Sequence, residues 1–475
     1  MVHLSKKYAY DGKVKKSKVY DEAKIEKLNQ IHKQMKARTI EGAEHLEWID
    51  YINSPDTNFI IQKMYALFTK WQEAKVNTLI IAGIGGSALG ARAAIHMCVN
   101  KYMRGGIKII WIDSISPSSN AELLRHLRKF NIRPAGIIIS KSGTTLETLI
   151  GYRFIKFIIE YKYDKDPNEK LAIITGVENN ELRKIAKQQN YPIFDIPTNI
   201  GGRFSALTPA GLLPMIMAGV DVYQVIEGAK QAIKDCSSPD YNTNEAYDLA
   251  LHRVAYYEAG YTNEVVDSYE KKLSALLEQC KQLYAETEAK DGKGLFPVPA
   301  TYTRDLHSIG QYLQDGPKTF FETTIWVRKS NGNARIPDDL NANNSFSYLE
   351  GLWLSEVNKL IYRSVAEAHA KIAKVPVLLV EMDKMDSFNY GYFYAWLSIS
   401  VIVSAYLMGV NPFNQPGVEA YKSILKEKLA ELKENVLRRK AERASEIDTD
   451  VNDEENEEEV DASTAEDDEP TVNNK

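Results

Sequence analysis

Residues 78–90 read TLIIAGIGGSALG: five residues without a polar face, three glycines in four positions, then the small residues that open an alanine-rich segment. A run with no polar face must be covered on both sides, which is the habit of a parallel sheet sandwiched by helices. Glycines let a backbone approach a ligand closely, and a helix that starts beside them offers unpaired N–H groups carrying partial positive charge. An anion suits such a place. The same stretch also satisfies a loose dinucleotide fingerprint, Gly83-x-Gly85-x-x-Ala88, with Asp113 at the end of the next run as the acid for a ribose. On this loop alone, an NAD-dependent dehydrogenase using Gly83–Gly90, a phosphate binder and a tight turn with no ligand all remain open.

Outward from it, the Ile-rich runs Lys108–Ile112, Gly136–Ile139, Leu171–Ile174 and Pro192–Ile196 alternate with helical segments, predicting a first α/β domain over 70–220. Thr323–Val327 and Pro376–Val380 read as strands, with helices around Glu356–Lys371 and Phe393–Met408, and predict a second over 245–430. The fold class is therefore α/β, with each domain a mainly parallel sheet between helices. Before Ala289, one apolar stripe (Leu276, Leu277, Cys280, Leu283, Tyr284) marks a helix that ends before Asp291-Gly292. Residues 1–69 read as a helical segment, with Ile25, Leu28, Ile31 and Met35 at helical spacing, and 221–244 as a linker. Ile424, Leu425, Leu429, Leu432 and Val436 predict an amphipathic C-terminal helix whose end lies in 431–444. Residues 445–475 are acidic and nearly devoid of apolar side chains, so burial cannot offset ordering entropy and a disordered tail is expected.

A length of 475 residues fits two to three domains, and a formal net charge of -5 gives no field for nucleic acid. Cys98, Cys236 and Cys280 are far apart and form no CxxC pair. That pattern fits a reducing, cytoplasmic setting and excludes a disulfide framework or structural zinc site, so no metal is expected. Phe393–Val410 is uncharged and reaches the lower length limit of a spanning helix, but it carries Ser398, Ser400, Ser404 and Tyr406 and lacks Lys/Arg flanks. It reads as a buried core helix and not as a membrane span.

The run ending at Ile139 leads into SKSGTT, Ser140–Thr145, and then into a helix through Leu146 and Glu147. Four hydroxyls, a lysine and a helix N-terminus on one short loop suit a phosphate monoester, which takes several convergent donors. A dinucleotide enzyme has no use for this second loop. Strand ends in a parallel sheet share one edge, so both loops face one crevice; the plainer alternative is a capped helix with incidental hydroxyls. After Ile196 comes GGRFS, 201–205, where Arg203 suits developing negative charge on an oxygen, against the plainer reading of an ordinary ion-pair arginine.

GIGGSALG (83–90), SKSGTT (140–145) and GGRFSALTPAGLLP (201–214) resemble the glucose-6-phosphate isomerase family. Phe393–Lys422, ending GVNPFNQPGVEAYK, is similar to that family's long second signature, and DLHSIGQYLQDGPKTFFET (305–323) to its bacterial members. The resemblance runs from about residue 40 to 430. It implies two sugar-isomerase-type domains and a homodimer whose site the partner subunit completes. The reaction it implies interconverts glucose 6-phosphate and fructose 6-phosphate through a cis-enediolate, in glycolysis and gluconeogenesis, without a cofactor.

By motif, the proton-carrying carboxylate falls on Glu286, the ring-opening histidine on His307, the lysine near the ring oxygen on Lys422, and the enediolate-steadying arginine on Arg203. Gly86, Ser87, Ser140, Lys141, Ser142 and Thr145 match the phosphate and substrate cradle, and Gln282 and Gln415 the glutamines that hold the sugar. Where bacterial members read GESEGK, this chain reads AETEAK (285–290), which leaves Glu288 as the other candidate base. A different class of function, a sugar-phosphate-binding regulator that has lost catalysis, predicts binding without turnover.

Overall fold

The computed structural model describes residues 1–100, 107–163, 167–338, 345–418 and 420–440. Its first unit, Met1–Asn414, holds two five-stranded sheets. The strands are β1 (Val2–Tyr8), β2 (Thr78–Ala82), β3 (Lys108–Ile112), β4 (Pro134–Ser140), β5 (Leu171–Gly176), β6 (Ile193–Ile196), β7 (Asn263–Ser268), β8 (Phe296–Thr301), β9 (Phe320–Lys329) and β10 (Val377–Lys384). Seven helices matter for the site: α1 (Leu89–Cys98), α2 (Leu146–Lys162), α3 (Val222–Asp235), α4 (Glu245–Glu258), α5 (Ser274–Glu288), α6 (Leu354–Lys371) and α7 (Ser387–Met408).

The first sheet has the order β3-β2-β4-β5-β6 and is parallel throughout. Every residue of β2 and β4 is buried. Successive side chains point to opposite faces, so Leu79 and Ile81 join the core that contains Ala93, Ala94 and Met97 of α1, whereas Ile80 and Ala82 join Tyr152, Ile155, Ile158 and Ile159 of α2. From β2 the chain crosses outward to β3, and from β4 it crosses the other way to β5. The loops after β2 and β4 therefore flank the point where the winding reverses, the place where open α/β sheets bind ligands.

The second sheet has the order β1-β10-β9-β7-β8, with β10, β9, β7 and β8 parallel and β1 antiparallel at the edge. The segment expected to be helical over 1–69 thus begins with a strand. Val2 and Leu4 alternate with more exposed neighbours, and the register Leu4↔Val380 turns that alternation into cover for the edge of β10.

Within residues 221–244, expected as a linker, Val222–Asp235 form α3. Val222, Val225, Ile226, Ala229 and Ala232 recur at helical spacing and are all buried. A Cβ on Gly391 would lie 1.9 Å from the Val225 carbonyl oxygen, so α3 and α7 touch backbone to backbone. A rigid helical layer, not a flexible connection, therefore joins the two sheets. At its centre α7 has buried residues along its whole length; Asp386 caps its start by accepting from the Asn389 N–H at 2.9 Å, and Gly409 ends it at φ 75°. The uncharged stretch is a core helix, its apolar window wholly inside the protein.

The second unit starts at Gln415, earlier than the expected limit near 430. It contains a turn at Pro416–Val418 and a helix over 420–440, which carries the expected row Ile424, Leu425, Leu429, Leu432 and Val436. Residues 441–475, including the expected acidic tail, lie outside the described residues.

Candidate active site

Of three glycine- and hydroxyl-rich loops, those after β2 and β6 border α5, and the one after β4 is tied to the β6 loop through Lys141. In the first, a Cβ on Gly86 would lie 2.1 Å from the Gly202 carbonyl oxygen and 2.9 Å from the Arg203 nitrogen. Only glycine allows the loop after β2 to rest on the loop after β6 at this distance. The Ser205 hydroxyl ties the two together, donating to the carbonyls of Gly202 at 2.7 Å and Gly86 at 3.3 Å. Ser87 is partly exposed at the tip, just ahead of α1, whose first turn has no side-chain cap.

After β4, Ser140 Oγ lies 2.9 Å from Thr145 Oγ1 and 3.4 Å from Ser142 Oγ, and the Thr144 hydroxyl donates to Ser142 Oγ at 3.2 Å. The four hydroxyls form a nest in front of α2, and no side chain caps that helix either. Its first N–H groups stand ready for an anion. Lys141, expected in the cradle, reaches toward the segment after β6. Its ammonium donates to the carbonyls of Thr198 at 2.6 Å and Ile200 at 2.9 Å, which pins the segment leading to Arg203 against the loop after β4. Burial lowers its pKa from the ordinary lysine value.

Arg203 is almost fully buried, and its guanidinium reaches at least four groups. Nε donates to Thr287 Oγ1 at 3.0 Å, Nη1 to Glu286 Oε2 at 3.3 Å, and Nη2 to the carbonyls of Pro412 and of Asn414, the latter at 3.4 Å. Burial pulls its pKa down from the usual arginine range, while the Glu286 charge beside it pulls the other way. Glu286 is held on its other oxygen by Gln282, one turn earlier on α5, whose Nε2 donates to Oε1 at 3.0 Å. A Cβ on Gly85 would lie 3.2 Å from that same Nε2, so the first loop also borders Gln282.

Consecutive residues of a helix point about 100° apart, and the last turn of α5 uses this. The Glu286 side chain keeps 34% of its surface exposed and faces Arg203. Thr287 is buried against Arg203, and Glu288 turns into the protein, with no exposed surface, to pair with Arg253. The two carboxylates that the sequence left as rivals thus have opposite environments. Lys290 closes the helix by donating to the carbonyls of Glu286 at 2.9 Å and Thr287 at 2.6 Å. Burial, with Arg203 nearby, pulls its ammonium down to about 7.

His307 stands apart from this group. It is exposed, on the turn that follows β8, at the C-terminal edge of the second sheet. Helix α5 leaves β7 at that edge and runs back to the start of β8, so Glu286 sits at the opposite edge. A six-residue strand separates the two edges by about 20 Å. Gln415 and Lys422 lie in the second unit, ahead of the turn and in the first turn of the helix over 420–440.

Thr287, Lys290 and the Pro412 carbonyl were not singled out by sequence. Lys290, four residues after Glu286 at a helix end, carried the one readable signal, since cations favour that end. Asp113, the acid a dinucleotide site would use, is paired with Arg92.

Residues 68–448 match the family described as phosphoglucose isomerase. The chain is 37% identical over 407 residues to a glucose-6-phosphate isomerase of Mycoplasmopsis pulmonis, covering 84% of this chain and 94% of that one. To a glucose-6-phosphate isomerase of Staphylococcus epidermidis it is 36% identical over 398 residues, covering 82% and 88%. Among solved structures, a hypothetical protein from Thermus thermophilus superposes with a TM-score of 0.78 at 25% identity, covering 90% of this chain and 100% of that one. A glucose-6-phosphate isomerase from Chlamydia trachomatis gives a TM-score of 0.72 at 19% identity, covering 88% and 87%, a likeness of fold.

Proposed function

The chain belongs to the phosphoglucose isomerase family, and from that membership we propose that it interconverts glucose 6-phosphate and fructose 6-phosphate, with Glu286 carrying the proton between C1 and C2. One observation carries the reading of the site: an accessible carboxylate lies 3.3 Å from a buried arginine, with a glutamine on its second oxygen.

Aldose–ketose isomerisation removes a proton beside a carbonyl and returns it to the neighbouring carbon, and one carboxylate can do both. The reaction is redox-neutral within the sugar, so it calls on no external electron acceptor. The phosphate is held by the hydroxyls of Ser140, Ser142 and Thr145 and the first N–H groups of α2, with Gly86 and Ser87 beside the sugar. Lys141 serves the cradle by fixing the loop that carries Arg203. Binding energy from this remote group orients the reacting carbons. Arg203 faces the enediolate, whose charge spreads over two oxygens, and Gln282 holds Glu286 toward it.

Ring opening falls to His307, supplied by a second copy of the chain in a homodimer. The sheet-width separation of His307 from Glu286 within one chain supports this. So do the exposed large apolar side chains of Tyr348, Trp353, Leu354 and Leu360, of the kind an interface covers. Lys422 and Gln415 take the ring-oxygen and sugar-holding roles by motif. Three free cysteines support a cytoplasmic setting. The pairing of Asp113 with Arg92 argues against a dehydrogenase.

Purified protein given fructose 6-phosphate, with glucose 6-phosphate read by a coupled dehydrogenase, is expected to turn over without added nicotinamide in the isomerising step. Tight binding with no turnover would instead make it the non-catalytic regulator.

A further inference from the structure

Arg253 of α4 is wholly buried, yet the reaction as described leaves it without a task. Its guanidinium grips both oxygens of Glu288, with Nη2 donating to Oε2 at 2.9 Å. On its other side Nε donates to Glu264 Oε2 at 2.8 Å, and Glu264 is itself anchored by the Thr323 hydroxyl at 2.7 Å. The guanidinium also lies 3.8 Å from the centre of the Tyr284 ring, and Nη1 reaches Ser404 Oγ of α7 at 3.3 Å. Arg253 therefore holds α5 at two points, two residues before Glu286 and two residues after it, and ties both to β7, β9 and α7.

We propose that Arg253 is a positioning residue for the isomerisation: by clamping Glu288 it fixes the last turn of α5 so that the Glu286 carboxylate stays beside Arg203. Stability alone does not account for such a cluster, because well-packed apolar side chains of similar volume serve a core as well as a buried ion pair or better. What a planar, two-pronged grip adds is orientation. Glu286 needs it, since it must meet two adjacent carbons from one position, and a misplacement of about 1 Å costs on the order of a hundredfold in rate. Glu288 thus acts through Glu286, and the inference rests on Glu286 being the base.

The test compares Glu288→Gln, which keeps the shape and removes the charge, with Glu288→Asp, which keeps the charge. For each, kcat and KM for fructose 6-phosphate, thermal unfolding, and deuterium taken from D2O per turnover are measured. Glu288→Gln is expected to lose about tenfold to a hundredfold in kcat with KM little changed. It should also take up more solvent deuterium as water reaches a loosened carboxylate, and Glu288→Asp should recover part of kcat. Should Glu288→Gln not fold, Arg253→Lys, which keeps the charge and loses the fork, gives the same reading. Wild-type kcat in these variants, or a loss fully matched by a smaller folded fraction with unchanged deuterium uptake, overturns the proposal. Glu286→Gln run in parallel separates the two assignments. If it is inactive while Glu288→Gln is fully active, the clamp alone fails; if it is fully active, the base assignment fails and the clamp with it.

Discussion

Glu286→Gln is expected to lower kcat with fructose 6-phosphate by about two to four orders of magnitude, the span of acid–base contributions, while KM stays near the wild-type value. The substitution preserves shape, and its amide can still accept from Arg203 or Gln282, so the local fold should survive. What disappears is the ability to take a proton from carbon and give it back. Steady-state kinetics checks the loss, and exchange of the fructose 6-phosphate C1 hydrogen with solvent should fall in step. Near-normal turnover would place the base elsewhere. Glu288 offers no substitute, because it is closed off from solvent and paired with Arg253.

Arg203→Lys is expected to cost about a hundredfold to a thousandfold in kcat, roughly 3–4 kcal/mol of barrier, the usual effect of removing one fixed donor from a developing oxyanion. Lysine keeps the charge but not the fork. It cannot serve Thr287, Glu286 and the Pro412 and Asn414 carbonyls together, as the guanidinium does. The lost contacts leave buried acceptors unpaired, so a lower melting temperature should accompany the slower rate. Kinetics at a temperature where the variant remains folded separates the two effects. A kcat within about threefold of wild type under those conditions would remove Arg203 from the chemistry.

Much of this architecture is legible in the chain because the first sheet is covered on both faces. The inner residues of strands such as β2 and β4 must then be apolar on both faces, Leu79–Ala82 and Ile137–Ile139 among them. The second sheet hides itself. Strand β7 reads NEVVDS because Glu264 faces Arg253 and one oxygen of Asp267 accepts from the Thr324 hydroxyl, so these two carboxyl groups lie inside the protein and do not face water. Strand β8 contains Pro297 and Pro299, which argue against a strand unless it lies at an edge, where it does lie. The stretch expected as a linker holds α3 because the apolar row starting at Val222 has the spacing of a buried helix face.

At the site the legible part was the loops, since glycine beside hydroxyls at strand ends is a local signal. The meeting of Arg203 with Glu286, 83 residues apart, has no local signal, nor does the grip of Arg253 on Glu288, 35 residues apart. Such contacts belong to the packing of helices against each other.

The most direct test is a crystal structure of the protein with fructose 6-phosphate bound. The account predicts the phosphate within hydrogen-bonding reach of the Ser140, Ser142 and Thr145 hydroxyls at the start of α2, with C1 and C2 of the sugar against the Glu286 carboxylate. A phosphate bound away from residues 140–145, or a sugar whose C1 and C2 lie out of reach of Glu286, would contradict it.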